Sequence, residues 1–325
     1  MLRPAALLCL LLPVLAAASC RREEAPPPPT VPALHQVAAR ALQEDAPQFC
    51  EENAYTHCAR ICAMGPRPSG SPGFAQQADY LRRTLTAYGW TCAEDAWQQG
   101  DLPMRNLYAA FGADPEAWQS GRCRLLLSCH VDTKSGIPGF IGADDGASAA
   151  AVLLELARVL PRLGYKPGEV VLVFFDGEES IAPRMTEEDG LYGSKRLAAR
   201  LAELLPAADD PQLVQINLDM VGGRNNPIAI PLWDTSESMY THYLLARDAA
   251  GLPEDLFTTY HGGYWDDHRP LLDAGVADTL NLIGSFTNSG WWHTPADDFS
   301  RISPRSLGRA GRLTLCLVRR ILAGE

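Results

Sequence analysis

Residues 169–179 read Glu-Val-Val-Leu-Val-Phe-Phe-Asp-Gly-Glu-Glu. Six apolar residues, five of them β-branched or aromatic, run directly into four residues that are charged or glycine. A run this short, apolar on both alternating faces, is the pattern of a strand buried from both sides, as in a parallel sheet flanked by helices. In such sheets ligands collect outside the carboxyl ends of the strands. The charged tail Asp176, Gly177, Glu178 and Glu179 therefore falls where function is expected.

The same reading extends along the chain. Strands are predicted at 105–111, 124–129, 169–175, 213–220, 227–232 and 276–283. Helical patterns fill the intervals at 73–88, 147–160, 192–205, 237–250 and 303–322. Strands alternating with helices imply an α/β fold in three layers, α/β/α, around a central, mostly parallel sheet. No internal repeat interrupts residues 34–325, which read as one catalytic domain.

Each predicted strand end, or the loop after it, carries His, Asp or Glu. The strand ending at Cys129 delivers His130-Val131-Asp132, and the following loop holds Gly142-Ala143-Asp144-Asp145-Gly146. The 169–175 strand delivers Glu178 and Glu179. Asp219 sits inside the apolar run Ile216-Asn-Leu-Asp-Met-Val221, and Trp291-Trp292-His293-Thr294 follows near the end of the chain. Singly, each has an ordinary explanation. His130 would be a hydrogen-bonded core histidine, Asp144 and Asp145 helix caps, and Glu178-Glu179 a solvated turn. Asp219 is harder to explain, because a buried carboxylate without a partner is costly. Five such groups on one edge of one sheet point instead to a metal. Nitrogen and oxygen donors without cysteine suit a catalytic zinc with an open coordination position. Neighbouring residues at a strand end point different ways, so Glu179 can hold the metal while Glu178 faces the substrate as a general acid/base.

With these residues assembled, the chain resembles the di-zinc aminopeptidase superfamily over roughly residues 60–320. The order His-x-Asp, Gly-Ala-Asp-Asp, Glu-Glu, Asp, His is complete. The resemblance implies a zinc-exopeptidase-like fold, with Asp145, Glu179 and His293 as zinc ligands and Glu178 as acid/base. His130 and Asp219 stand where a second zinc binds in the aminopeptidases. Four further segments resemble the animal-type glutaminyl cyclases: Phe174 to Glu179, Asp189-Gly-Leu-Tyr-Gly-Ser194, Asp266-Asp-His-Arg-Pro-Leu271, and Trp292 directly before His293. Ser128-Cys129-His130 is also similar to them. Aminopeptidases usually carry serine where Asp266 stands.

That likeness implies conversion of N-terminal Gln or Glu of peptides to pyroglutamate, with one zinc, whereas an aminopeptidase would use two. It implies Glu178, Asp219 and Asp266 as catalytic groups, with Asp219 and Asp266 close together in a shared proton network. Trp292, Phe286 and Ile283 would wall the substrate pocket. Three departures stand out. Ala150 takes the place of the cysteine that the cyclases bridge to the one matching Cys129. Residues 180–188 lack the pocket tryptophan, and Trp265 replaces a glutamine. A third class, a catalytically dead module on the same fold, conflicts with the complete ligand set.

Composition narrows the partners. The 325 residues are 46% hydrophobic with a formal charge of −11. A full core needs no staple, and no basic run offers a grip on nucleic acid. Residues 1–19 read as a signal peptide, with Arg3 before an apolar stretch too short to span a bilayer comfortably. It ends Ala17-Ala-Ser-Cys20, which resembles a bacterial lipoprotein processing site with Cys20 as the lipidated residue, although Ala17 stands where leucine is usual. Residues 20–33 then form a proline-rich tether. The expectation is an exported lipoprotein on the periplasmic or outer side of a membrane, acting on peptide or protein N-termini. Cys50, Cys58, Cys62 and Cys92 cluster early, where an oxidising compartment permits bridges.

Overall fold

The computed structural model describes residues 49–116, 119, 122–204 and 213–323. The expected signal peptide, Cys20 and the tether lie outside the described residues.

Eight strands form one mixed sheet in the order β1-β2-β4-β3-β5-β8-β6-β7. They are β1 (Trp90–Gln99), β2 (Leu102–Phe111), β3 (Leu125–His130), β4 (Val170–Phe175), β5 (Val214–Asp219), β6 (Ile228–Pro231), β7 (Phe257–Tyr260) and β8 (Asp278–Gly284). The four central strands, β4-β3-β5-β8, run parallel. β2 is antiparallel to β4 and β6 to β8, so the departures from parallel order lie toward the edges.

The residues of β3 and β4 are buried throughout, as the unbroken apolar runs require. Helices cover both faces: α1 (Glu51–Cys62), α2 (Pro72–Ala87), α3 (Ala149–Val159), α4 (Tyr192–Leu204), α5 (Glu237–Ala249), α6 (His268–Asp273), α7 (Phe286–Ser289) and α8 (Pro304–Ala323). Two apolar clusters result. One gathers α1, α3 and α8 with Leu125, Leu127, Leu172 and Ile216. The other packs Leu126, Val171, Val173 and Phe175 against Leu197 and Leu201 of α4 and Leu271 of α6. Alternate residues of one strand thus feed opposite layers.

Six strands and five helices fall within a few residues of expectation. Two strands and three helices do not appear in the sequence reading. β1 is half exposed, with alternating burial. It forms because all ten residues pair with β2. Of the early cysteines, α1 carries Cys58 and Cys62, and the seven cysteines among the described residues are all unbridged. Cys129 is buried and free, consistent with Ala150 in the place of a partner. Cys58 and Cys62 lie one turn apart with Sγ atoms at 4.0 Å.

Candidate metal centre and substrate cavity

His130 ends β3 and Asp219 ends β5. Glu178 and Glu179 follow β4, so three adjacent parallel strands deliver their charged ends to one edge. Asp145 arrives from the loop before α3. The chain turns there through Gly142 and Gly146, both at positive φ, and a side chain on Gly142 would strike the Asp145 carbonyl. Glycine is the residue that tolerates this path. The buried Arg67 guanidinium holds the same loop, donating to the carbonyls of Ile141 and Gly142 at 2.7 and 3.0 Å.

Two donor clusters result, and Asp145 belongs to both. Asp145, Glu179 and His293 place one ligand atom each within 4.8 Å of one another, as do His130, Asp145 and Asp219. In the first, His293 Nε2 lies 2.9 Å from Glu179 Oε1 and 3.6 Å from Asp145 Oδ2. These values bracket the edge of about 3.3 Å for a tetrahedron whose donors stand 2.0–2.1 Å from a zinc. In the second, His130 Nε2 lies 3.1 Å from both Asp145 Oδ1 and Asp219 Oδ1. Asp145 Oδ2 is buried without a hydrogen-bond partner. A charged oxygen in that state is costly unless a cation meets it. Two carboxylates, one imidazole and an orphaned oxygen therefore fit a zinc ion.

The electrostatics agree. Burial, then the charge of Glu179, pushes Glu178 well above the usual carboxylate range. Asp219 rises to about 7, again chiefly by burial. Against the opposing effect of burial, the neighbouring carboxylates of Asp132, Asp145 and Asp219 raise His130 well above the ordinary histidine value. Crowded buried carboxyls that resist losing protons mark a place where a cation would reverse the balance. His293 and Met220 both adopt positive φ, at 51°. Left-handed backbone at non-glycine residues concentrates at functional sites.

Further carboxylates hold the backbone that carries the donors. Asp132 accepts the backbone N–H groups of Glu178 and Glu179 at 3.2 Å each. Asp297 accepts those of Asp144 and Asp145 at 2.8 and 3.1 Å. Asp144 is not a helix cap: its Oδ1 accepts the N–H of Gly222. Lys134 is buried and donates to the carbonyls of Ser180 and Ala182 and to the Ser180 hydroxyl, with its Nζ 3.8 Å from Glu179 Oε2. Its place in a loop carries no periodic signal that would have singled it out.

A cavity of about 480 Å³ opens against this edge. Every residue assigned from sequence to catalysis or substrate binding lines it: Glu178, Asp219, Asp266, Ile283, Phe286 and Trp292. Asp219 and Asp266 share the cavity, and the charge of Asp266 contributes to raising Asp219. The oxygens of Asp266 accept the side-chain amides of Asn217 and Asn281, at 3.0 and 2.7 Å, and the backbone N–H of Asp267, while Asp219 faces His130. Asparagines in β5 and β8 thus supply the hydrogen bonds that a buried carboxyl requires. Where the cyclases carry a tryptophan, Pro183, Arg184 and Met185 border the cavity, and Trp265 stands at its mouth, 55% exposed.

Parallel strand ends bearing two linked His/carboxylate clusters define a zinc-exopeptidase-like hydrolase or transferase. Peptidase family M28 matches residues 109–318, and the chain belongs to that family. It is similar to the glutaminyl-peptide cyclotransferase-like protein of Mus musculus, 30% identical over an alignment of 278 positions that covers 76% of this chain and 70% of that protein. It is also similar to the solved glutaminyl cyclase of Porphyromonas gingivalis, with a TM-score of 0.67 at 28% identity, over 85% of this chain and 99% of that one. A leucine aminopeptidase precursor from Bacteroides thetaiotaomicron superposes with a TM-score of 0.71 at 23% identity, covering 84% and 98%. That last likeness shows the fold alone, and the fold does not separate cyclases from aminopeptidases.

Proposed function

We propose that the protein is a zinc-dependent glutaminyl-peptide cyclotransferase, closing N-terminal glutamine into pyroglutamate with release of ammonia, and glutamate with release of water. The observation that carries this reading is Asp266. A carboxylate, held by two asparagine amides, faces the cavity beside Glu178 and Asp219, where the resemblance gives aminopeptidases a serine.

In this reading Asp145, Glu179 and His293 hold one zinc. Bound there, it supplies Lewis-acid polarisation of the substrate γ-carbonyl. The nucleophile is the substrate's own α-amine, so the chain's work is to orient and to move protons. Ile283, Phe286 and Trp292 wall the side chain and exclude water, favouring the ring-closing conformer. Glu178 accepts a proton from the amine as its nitrogen bonds to the carbonyl carbon of the side-chain amide. The same proton then passes to the departing nitrogen, which leaves as ammonia when the carbon–nitrogen bond breaks. A carboxyl held above its usual range by burial suits both halves of that exchange. Asp219 and Asp266 offer acceptors to the N–H groups of the amine and of the leaving group.

The second cluster, His130, Asp145 and Asp219, favours an alternative. With a second zinc there, Glu178 would activate water and the protein would be an aminopeptidase. Purified protein is offered a Gln-initiated and a Leu-initiated peptide. Ammonia from the first without cleavage of the second supports the cyclotransferase, and one tightly held zinc per chain accompanies it. Cleavage of the Leu peptide with two required zincs overturns it.

The same proposal places the protein outside the cytoplasm, as a lipoprotein anchored through Cys20. Support comes from Ala17-Ala-Ser-Cys20 and the tether of residues 20–33. Among the described residues no helix is long and apolar enough to cross a membrane. A single acyl chain binds marginally, so stable anchoring needs the multiple acylation typical of such proteins. In a Gram-negative host the wild type partitions into membranes and Cys20→Ala does not; a soluble wild type overturns the anchor.

A further inference from the structure

A row of aromatic rings leads outward from the candidate metal centre. Trp292 stacks on His293 with ring centroids 4.1 Å apart. Phe286 follows at 5.0 Å from Trp292, Tyr264 at 5.4 Å from Phe286, and Tyr260 at 4.6 Å from Tyr264. The last two are parallel to within 8°. Trp292, Phe286 and Tyr264 line the cavity, whereas Tyr260 stands beyond it at the end of the edge strand β7. The row is not core: Trp292 is 43% and Tyr260 44% exposed. It is nevertheless built. A side chain at Gly262 would collide with the Tyr260 ring, and the Gly262 N–H donates to the Tyr260 carbonyl at 2.9 Å. Exposed aromatic surface that is continuous with a cavity marks a binding site.

We propose that this row carries the second to fourth residues of the peptide whose first residue fills the cavity, and that it selects aromatic or other bulky apolar side chains there. The inference rests on the cyclotransferase reading of the site. The occupant follows from continuity, because a residue seated against Trp292 and Phe286 must send its carbonyl end out through the mouth. An extended chain advances about 3.3 Å per residue, so the three ring-to-ring steps beyond Trp292 accommodate about four residues at most. The row itself offers ring faces and no charge, and ring pairs prefer centroid separations of about 4.5–7 Å.

The test compares ammonia release from glutamine α-amide, Gln-Ala-Ala-Ala, Gln-Phe-Ala-Ala and Gln-Ala-Phe-Ala. Each phenylalanine should raise kcat/KM over the all-alanine peptide by roughly five- to tenfold. Tyr260→Ser should remove the advantage at the third position, and Tyr260→Phe should keep it. Equal kcat/KM on all three peptides, with glutamine α-amide turned over, overturns the inference alone. So does an advantage that survives Tyr260→Ser and is lost in Trp265→Ser, since Trp265 also borders a second cavity and the chain would then leave that way. No ammonia from any of the four overturns the cyclotransferase reading and this inference with it.

Discussion

Asp132 accepts the backbone N–H of Glu179 at 3.2 Å, and through its other oxygen that of Glu178. The same carboxylate lies 3.7 Å from Nδ1 of His130. One side chain thus orients the end of β3 and the turn after β4 together. Asp132→Asn keeps the volume but turns an N–H donor toward another donor. Zinc affinity should fall by about 10–100-fold, as for other groups that orient metal ligands, measured by competition with a chelator. Unchanged affinity would show that Asp132 is a bystander.

Glu178→Gln retains size and reach but cannot accept a proton. Zinc content should stay at the wild-type level, because Glu179 and not Glu178 belongs to the donor cluster. Cyclisation should drop by about 10²–10⁴-fold in kcat. Activity near wild type with zinc retained would remove Glu178 from the mechanism.

Asp266→Ser installs the residue implied for aminopeptidases. Asn217 and Asn281 would lose their carboxylate partner, and the cavity would lose an acceptor for the ammonium-like groups of the reaction. Cyclisation should fall at least about 10²-fold, with zinc content kept and circular dichroism unchanged. Retained turnover of Gln-peptides would leave the distinction between cyclase and aminopeptidase resting elsewhere.

On α1, His57 is buried between two tyrosine hydroxyls, with Nδ1 2.5 Å from Tyr80 and Nε2 3.2 Å from Tyr88. Burial lowers it from 6.5 to about 4. Between those values the unfolded chain carries the proton and the folded chain does not. Stability is therefore lost as pH falls from 6.5 toward 4, by up to about 3 kcal/mol, and the loss levels off below that. Relative to wild type, His57→Gln should gain stability as pH falls through this window. Denaturant midpoints at pH 7.5 and 4.5 measure it. A wild-type-to-variant difference that does not move with pH would refute the assignment.

What could be read from sequence divides by mechanism. β3, β4 and β5 were legible because strands buried on both faces are written as apolar runs, and the ligand types at their ends follow directly. β1 was not: Trp-Thr-Cys-Ala-Glu-Asp-Ala-Trp-Gln-Gln has little strand propensity, and its pairing with β2 overrides that preference. His130, Asp145, Glu179, Asp219 and His293 could be named, since each breaks a local pattern. Asp132 and Asp297 could not be given their roles. They bind backbone N–H groups 46–47 and 152–153 positions away, and a backbone partner leaves no mark in sequence. The Asp266 clamp left no mark for a related reason: the resemblance implies that Asp219 and Asp266 lie close together, but nothing in the sequence shows that asparagines of β5 and β8 hold Asp266.

The donors also have an order of arrival. Synthesis delivers His130, Asp145, Glu179 and Asp219 well before His293, and Asp297, whose carboxylate seats the Asp145 loop, later still. A chain folding from its N-terminal side as it is made therefore gathers repelling carboxylates before the histidine that completes their cluster. Its central sheet can close fully only when the late segment docks, because β8 stands beside β5 in the middle of the sheet. A stalled or truncated chain would therefore hold four of the five donors and lack the carboxylate that seats the Asp145 loop.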